Sequence, residues 1–382
     1  MVFNITTISD FIDPLMKNNV FWFILAIATL VGGGSAICYF IEKLRKKPDI
    51  NVKIASDVDE IKNSIKQMKG SSIPVTDFLD GLPQLNDIRK REIFENGMKL
   101  RDDNKPMEAI QRFRLLLSSN PLEEQRSALL ILIGNSFLLT GNQDEALGHY
   151  KEALKAAEKA NNSVAKSAAL GNIGLIYSVR GEPDEALKCH QQALEIHRNI
   201  GYKLGEASDL GNMGLIYDDR GEPDEALKCH QQALEIDHEI GYKQGEASDL
   251  GNMGLIYRGR GESDEALKYF QQALEIDREI EYKQGEATQL GNIGLIYNSN
   301  KSEPDEALKY IQQALEINRE IKYKWGEAIQ LGNIGVIYRD RGEPDEALKY
   351  LQQTLRIFES VRAETRINQT IYIINSIVKL SK

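Results

Sequence analysis

The sequence predicts an all-α chain in which stacked helix pairs form a solenoid behind one transmembrane helix. Three observations predict it. One eight-residue block recurs five times, as LGNIGLIY at 170, LGNMGLIY at 210 and 250, LGNIGLIY at 290 and LGNIGVIY at 331. Inside each period the apolar residues fall on two separate helical stripes. Ahead of the repeats, Val20 to Ile41 runs for 22 residues without a charge.

The blocks recur every 40 residues, with one interval of 41. A period of this size marks a supersecondary unit that cannot bury its own apolar face and must stack on neighbours. Leu170, Ile173, Gly174 and Tyr177 are spaced as one stripe of a first helix, and Ala186, His190, Ala193 and Leu194 as one stripe of a second. Between them Gly181 suits a left-handed turn and Pro183 a first helical turn. Asp184 and Glu185 complement the positive end of the helix dipole. Gly221-Glu222-Pro223-Asp224 and Gly342-Glu343-Pro344-Asp345 repeat the device.

With Ala186 added, these spacings resemble the tetratricopeptide helix-turn-helix signature, and the 40-residue period with its Leu-Gly-Asn triplet resembles the elongated class of that family. The resemblance implies a right-handed superhelical α-solenoid. Weaker copies precede the five, at Ile133, Gly134, Phe137, Ala146, Tyr150 and Ala153, and at Ile93, Gly97, Leu100, Ala109, Phe113 and Pro121. About seven repeats are expected over residues 89–361. Ile367, Ile371, Ile374 and Val378 then predict a capping helix within 362–382. Pro183, Pro223, Ser263, Pro304 and Pro344 stand where the family often has an aromatic, and the sixth unit, NSNKSEPDEA, lacks the Arg-Gly turn. A looser turn is expected near Asn300.

Residues 1–19 read as a short amino-terminal segment and 20–41 as the transmembrane helix. Its length, about 33 Å at about 1.5 Å per residue, suffices to cross a bilayer core. Lys43, Arg45, Lys46 and Lys47 follow it and only Lys17 precedes it, so the positive-inside rule puts the amino terminus outside and the repeats in the cytoplasm. A cleaved signal peptide would have a shorter apolar run and a basic leader. Residues 42–88 comprise this basic segment, a short helix and a linker rich in Gly, Pro and Ser. Ile54, Val58, Ile61, Ile65 and Met68 trace two heptads of a coiled-coil seam, and Ala28, Gly32 and Ala36 a small-residue stripe. Both are compatible with a homodimer through the transmembrane and juxtamembrane helices, although small residues are also merely tolerated in lipid. Asn4-Ile5-Thr6 is a glycosylation sequon if the outside topology holds.

A net charge of −10 and a pI near 5.3 argue against general nucleic-acid binding, which requires a basic stripe. No phosphate loop, HExxH helix or serine elbow is present, so no catalytic residue is nominated and no enzyme activity or cofactor is expected. Cys189-His190 and Cys229-His230 invite a zinc reading, but the same slots hold Tyr269-Phe270, Tyr310-Ile311 and Tyr350-Leu351, which makes them packing positions. No metal is expected. The three cysteines form no disulfide framework.

The remaining signal is Asn172, Asn212, Asn252, Asn292 and Asn333, each between two glycines in the middle of a first helix. Two interior glycines cost about 2 kcal/mol per helix relative to alanine, which something must offset. Close packing accounts for the second glycine. In the resembled family this asparagine lines the concave groove, where one carboxamide can engage both an N–H and a C=O of a peptide. Leu175, Leu215, Leu255, Leu295 and Val336 lie one turn along, followed by Val179, Asp219, Gly259, Ser299 and Asp340. A peptide-binding groove, part aliphatic and part polar, is expected. The alternative is that each Asn bonds only within the stack. Ala168, Ser208, Ser248, Thr288 and Ile329 precede the Asn by one turn, so the Lys/Arg clamp for a terminal carboxylate is not expected. The chain thus reads as a membrane-anchored scaffold whose partner is a protein or peptide. A receptor or assembly factor of a membrane complex, and a regulatory subunit of a separate enzyme, are the alternatives.

Overall fold

A computed structural model describes residues 88–299, 303–360 and 364–380. These form fifteen α-helices. They divide into two compact units, residues 1–200 and 201–382. The first unit contains three helix pairs: α1 (Ile88–Asp102) with α2 (Pro106–Leu117), α3 (Glu123–Leu139) with α4 (Gln143–Lys159), and α5 (Ser163–Val179) with α6 (Pro183–Ile200). The second contains four, α7 (Lys203–Asp219) with α8 (Pro223–Glu239), α9 (Lys243–Gly259) with α10 (Ser263–Glu279), α11 (Lys283–Ser299) with α12 (Pro304–Glu320), and α13 (Lys324–Asp340) with α14 (Pro344–Ser360), followed by the single helix α15 (Glu364–Leu380). The transmembrane and juxtamembrane assignments, and the turn at Asn300, lie outside the described residues. No helix among the described residues is long and apolar enough to cross a membrane.

Local chemistry places the breaks where the sequence indicates. Gly181, Gly221, Gly261 and Gly342 adopt φ of +72°, +74°, +78° and +76°, the left-handed conformation that closes a helix at little steric cost. Pro183, Pro223, Pro304 and Pro344 then open the second helices, where a missing N–H is harmless.

Inside each unit a helix packs on its partner and on the first helix of the next pair, and successive first helices also touch one another. The pairing is set by the second glycine of each block. A Cβ on Gly174 would lie 2.7 Å from the His190 ring; on Gly214, 2.6 Å from His230; on Gly254, 2.7 Å from Phe270; on Gly294, 2.5 Å from Ile311; on Gly335, 2.8 Å from Leu351. The side chain of the second helix fills the notch that glycine leaves. Tyr150 and Phe113 fill the same notch at Gly134 and Gly97. The neighbouring slot holds Cys189 and Cys229, buried, or a tyrosine that stacks on the last tyrosine of the first helix. Tyr257–Tyr269, Tyr297–Tyr310 and Tyr338–Tyr350 have centroids 5.2, 5.4 and 5.5 Å apart.

The first glycine faces the next pair instead. A Cβ on Gly251 would meet Gln289 at 3.1 Å, and on Gly291 would meet Gln330 at 2.8 Å. Both glycines therefore serve close approach, in two directions.

Helix α15 occupies its predicted span but docks on a different stripe. Thr370 and Ile377 are buried, Ile373 and Ile374 pack beside Ala347 and Leu351, and Ile371 and Val378 remain 39% and 37% exposed. The predicted stripe of Ile367, Ile371, Ile374 and Val378 is corrected to Thr370, Ile373, Ile374 and Ile377. Both stripes have helical spacing, and only the neighbouring helix selects between them.

Gly254→Ala should lower the urea midpoint despite its better helix propensity. Overpacking against the fully buried Phe270 costs about 1–3 kcal/mol and outweighs the gain of roughly 1 kcal/mol. Gly148→Ala in α4, with nothing within 4 Å of the new Cβ, should instead raise the midpoint, for a gain in unfolding free energy of about 0.5–1 kcal/mol.

Candidate functional site on the exposed face of the first helices

Within the second unit the first helices carry a stripe that is exposed or half-buried. Ser208, Asn212, Leu215 and Asp219 follow one another along α7 at spacings that keep one face, and α9, α11 and α13 repeat the pattern. Leu215 and Leu255 are 45% and 36% exposed, unusual for residues in the middle of packed helices. Leu295 and Val336 are half-buried on the same stripe.

Asn212, Asn252, Asn292 and Asn333 are half-buried along this face. Among the described residues the side chains of Asn212, Asn252 and Asn292 make no hydrogen bond. Asn333 Nδ2 donates to Gln330 Oε1 at 3.1 Å within its own helix. Asn172 differs from these four. It belongs to the first unit and is only 4% exposed, while Leu175 beside it is half-buried. The structure thus brings four of the five asparagines onto a shared open face and buries the fifth.

Two family models, both described as tetratricopeptide repeat, match residues 94–163 and, in overlapping segments, 165–360. The chain is a tetratricopeptide repeat protein. Such repeats are generically protein–protein interaction modules. Among solved structures, apo RapI matches with 17% identity and a TM-score of 0.60 over 72% of this chain and 100% of that one. The apo quorum sensor NprR from B. thuringiensis matches at 16% identity and 0.54, over 85% and 94% of the respective chains. A signal-transduction ATPase with a tetratricopeptide repeat sensor, PH0952 from Pyrococcus horikoshii, matches at 18% and 0.55, over 75% and 43%. At these identities the likeness concerns the fold. No curated protein matches the chain.

The tetratricopeptide stack also contains polar residues that the pattern of apolar stripes did not flag. The segment Tyr-Lys-x-Gly-Glu-Ala recurs at 202, 242, 282 and 323, and its period was the available signal. Its glutamate is buried in all four copies, and from Glu246 onward it lies at a seam between pairs of the second unit. Glu286 accepts from Lys283 at 2.8 Å and from Arg278 of α10 at 2.9 Å, and Glu327 accepts from Lys324 at 2.7 Å and Arg319 of α12 at 3.0 Å. Burial alone would raise these carboxyls, but the hydrogen bonds of the flanking cations outweigh it and hold both below the ordinary range. Glu246 has Lys243 at 3.3 Å and His238 at 3.5 Å.

Deeper in the same seams lie His230, whose Nδ1 is 2.9 Å from Asp249 Oδ1, and the slot occupied by Asp237, Asp277 and Asn318. Each member of that slot sits over the glycine of the next Tyr-Lys-x-Gly segment, at Gly245, Gly285 and Gly326. Asp277 has Gln289 Nε2 at 3.5 Å, and burial pushes its carboxyl up to about 6. Asp237 has no such donor on Oδ1. Burial, with the negative charges of Asp249 and Glu246 nearby, pushes it up to about 8. Among the described residues no cluster of three His, Cys, Asp or Glu could hold a metal.

Asp237 thus stays protonated in the folded chain to about pH 8, whereas unfolded it ionises near 4. The folded state binds the extra proton across that window, so this group's contribution is fully present below pH 4 and is lost as pH rises through 8. Asp237→Asn, which copies Asn318, should raise the unfolding free energy from urea titration at pH 8 by about 1–3 kcal/mol and leave pH 4 nearly unchanged. Equal effects at both pH values would contradict a neutral buried acid.

Proposed function

We propose that the chain is a non-enzymatic, membrane-anchored scaffold whose cytoplasmic repeats hold an extended peptide or helix of a partner protein against the exposed face of the first helices. The observation that carries this reading is the row of carboxamides at Asn212, Asn252 and Asn292, unbonded within the protein and set beside exposed or half-exposed leucines. Polar groups that the stack leaves unused, next to apolar surface open to water, form the mixed lining of a peptide site. Because α7, α9, α11 and α13 touch in sequence, the face continues through the second unit. A carboxamide offers a donor and an acceptor at once, so it can bind peptide backbone whatever the side chains.

The anchor rests on the uncharged run from Val20 to Ile41 and on the Lys and Arg residues that follow it. The same segment, with the heptads after it, supports association of two copies through the transmembrane and juxtamembrane helices.

Asn212→Ala combined with Asn252→Ala should weaken partner binding about tenfold or more, since each lost hydrogen bond contributes about 1 kcal/mol. Affinity capture with the full chain measures this, and unchanged partners and affinities in a variant of unchanged helicity would sink the groove reading. For topology, Ile5→Cys should react with a membrane-impermeant thiol reagent in intact cells. Labelling only after lysis would reverse the orientation.

A further inference from the structure

Of the half-buried arginines described in the second unit, Arg339 and Arg341 have ion pairs and Arg258 has none. It is half-buried near the end of α9, with Nη1 closed off from solvent and no acceptor in reach. Arg260 pairs with Asp224, Arg278 with Glu286, Arg319 with Glu327 and Arg339 with Asp340, yet Arg258 has no ion pair among the described residues. The sequence explains the difference. At the two equivalent positions the four first helices read Asp218-Asp219, Arg258-Gly259, Asn298-Ser299 and Arg339-Asp340. Arg339 has a carboxylate next to it, where Arg258 has a glycine. Burial is the one influence on its protonation, and no neighbouring acid contributes.

Its position follows from the helix. Gly251 precedes Arg258 by two turns and shares its side of α9, and a Cβ there would meet Gln289 of α11. Arg258 therefore lies on the flank of α9 that faces α11, one turn past the exposed Leu255. The end of α11 offers Asn298 and Ser299 and no charge. A guanidinium cannot shed its proton, and with Nη1 turned inward its Nε and Nη2 are left for an acceptor from outside.

We infer that Arg258 is an acid-reading subsite, which takes the carboxylate of an Asp or Glu side chain from a partner segment lying along the first helices. This rests on the peptide-binding reading above and adds a side-chain preference to it. A planar guanidinium matches a carboxylate with two parallel hydrogen bonds, here along its Nε–Nη2 edge, which is not closed off.

The full chain, applied to an array of 12-residue peptides with acetylated and amidated ends, tests the assignment. Bound peptides should share Asp or Glu at one register position. Replacing that residue with Gln or Asn in the best binder should weaken binding tenfold or more. Arg258→Gln should abolish this discrimination while weak binding to the rest persists. Gly259→Asp should abolish it too with the arginine still present, because it supplies the neighbouring carboxylate that Arg339 already has. Its side chain enters open space, so the fold is preserved. Binding without an acidic preference, a preference kept in both variants, or one confined to peptides with a free carboxyl terminus would overturn the subsite alone. No binding by any peptide would overturn the subsite and the peptide-groove reading together.

Discussion

The distance at which each first helix rests on its partner sets everything else in the stack. That distance is fixed where a glycine, 174, 214, 254, 294 or 335, receives a buried side chain of the second helix. Interiors are packed too densely for a methyl group to be added without a shift. The filler varies from His to Phe, Ile or Leu because the notch itself demands volume, and His230 adds a polar contact to Asp249 across the seam. The notch therefore explains why an apolar phenylalanine and a histidine can occupy equivalent positions. It also turns the opposite side of the first helix, with Asn212 and its successors, toward solvent.

A second constraint acts between pairs, and it is polar. The first glycine of each block lies against Gln289 or Gln330, while His230, Asp249, Asp277 and the Lys–Glu–Arg groups fill the seam. Buried polar groups contribute little net stability, but each must find its partner. Neighbouring seams use different solutions, with His230 and Asp249 in one, Asp277 and Gln289 in the next, and Asn318 in a third. Near-identical repeats are thereby held in a particular order rather than as interchangeable units. The seams pair their polar residues for assembly, while the open face leaves the carboxamides of Asn212, Asn252 and Asn292 unbonded.

Much of this was legible in the sequence because the signals were repeated. Five copies of one block define the helix faces far better than one copy could, and the turns at Gly181 and Gly342 follow from local backbone chemistry alone. The asparagines were legible for the opposite reason. They are poor helix formers in mid-helix positions, so they stood out, and the structure leaves Asn212, Asn252 and Asn292 unbonded on the open face. The seam glutamates went unread although they recur as regularly. A charged residue in a helical segment looks solvated until the neighbouring pair is in place, and Arg278 and Lys283 meet Glu286 from opposite sides of a contact that no linear pattern displays.

The amino-acid sequence by itself determined the element type, the pairing of helices, the turn positions and the phase of the asparagine row, because all of these follow from torsional preference and from a period shared by adjacent residues. The tertiary structure alone decided which of two helical stripes α15 buries, that Asn172 is enclosed while Asn252 is open, and that Arg258 is left without an acid. Those outcomes depend on what a separate helix presents across the contact. A side chain's own sequence neighbours specify its direction, but burial and pairing are properties of two surfaces at once.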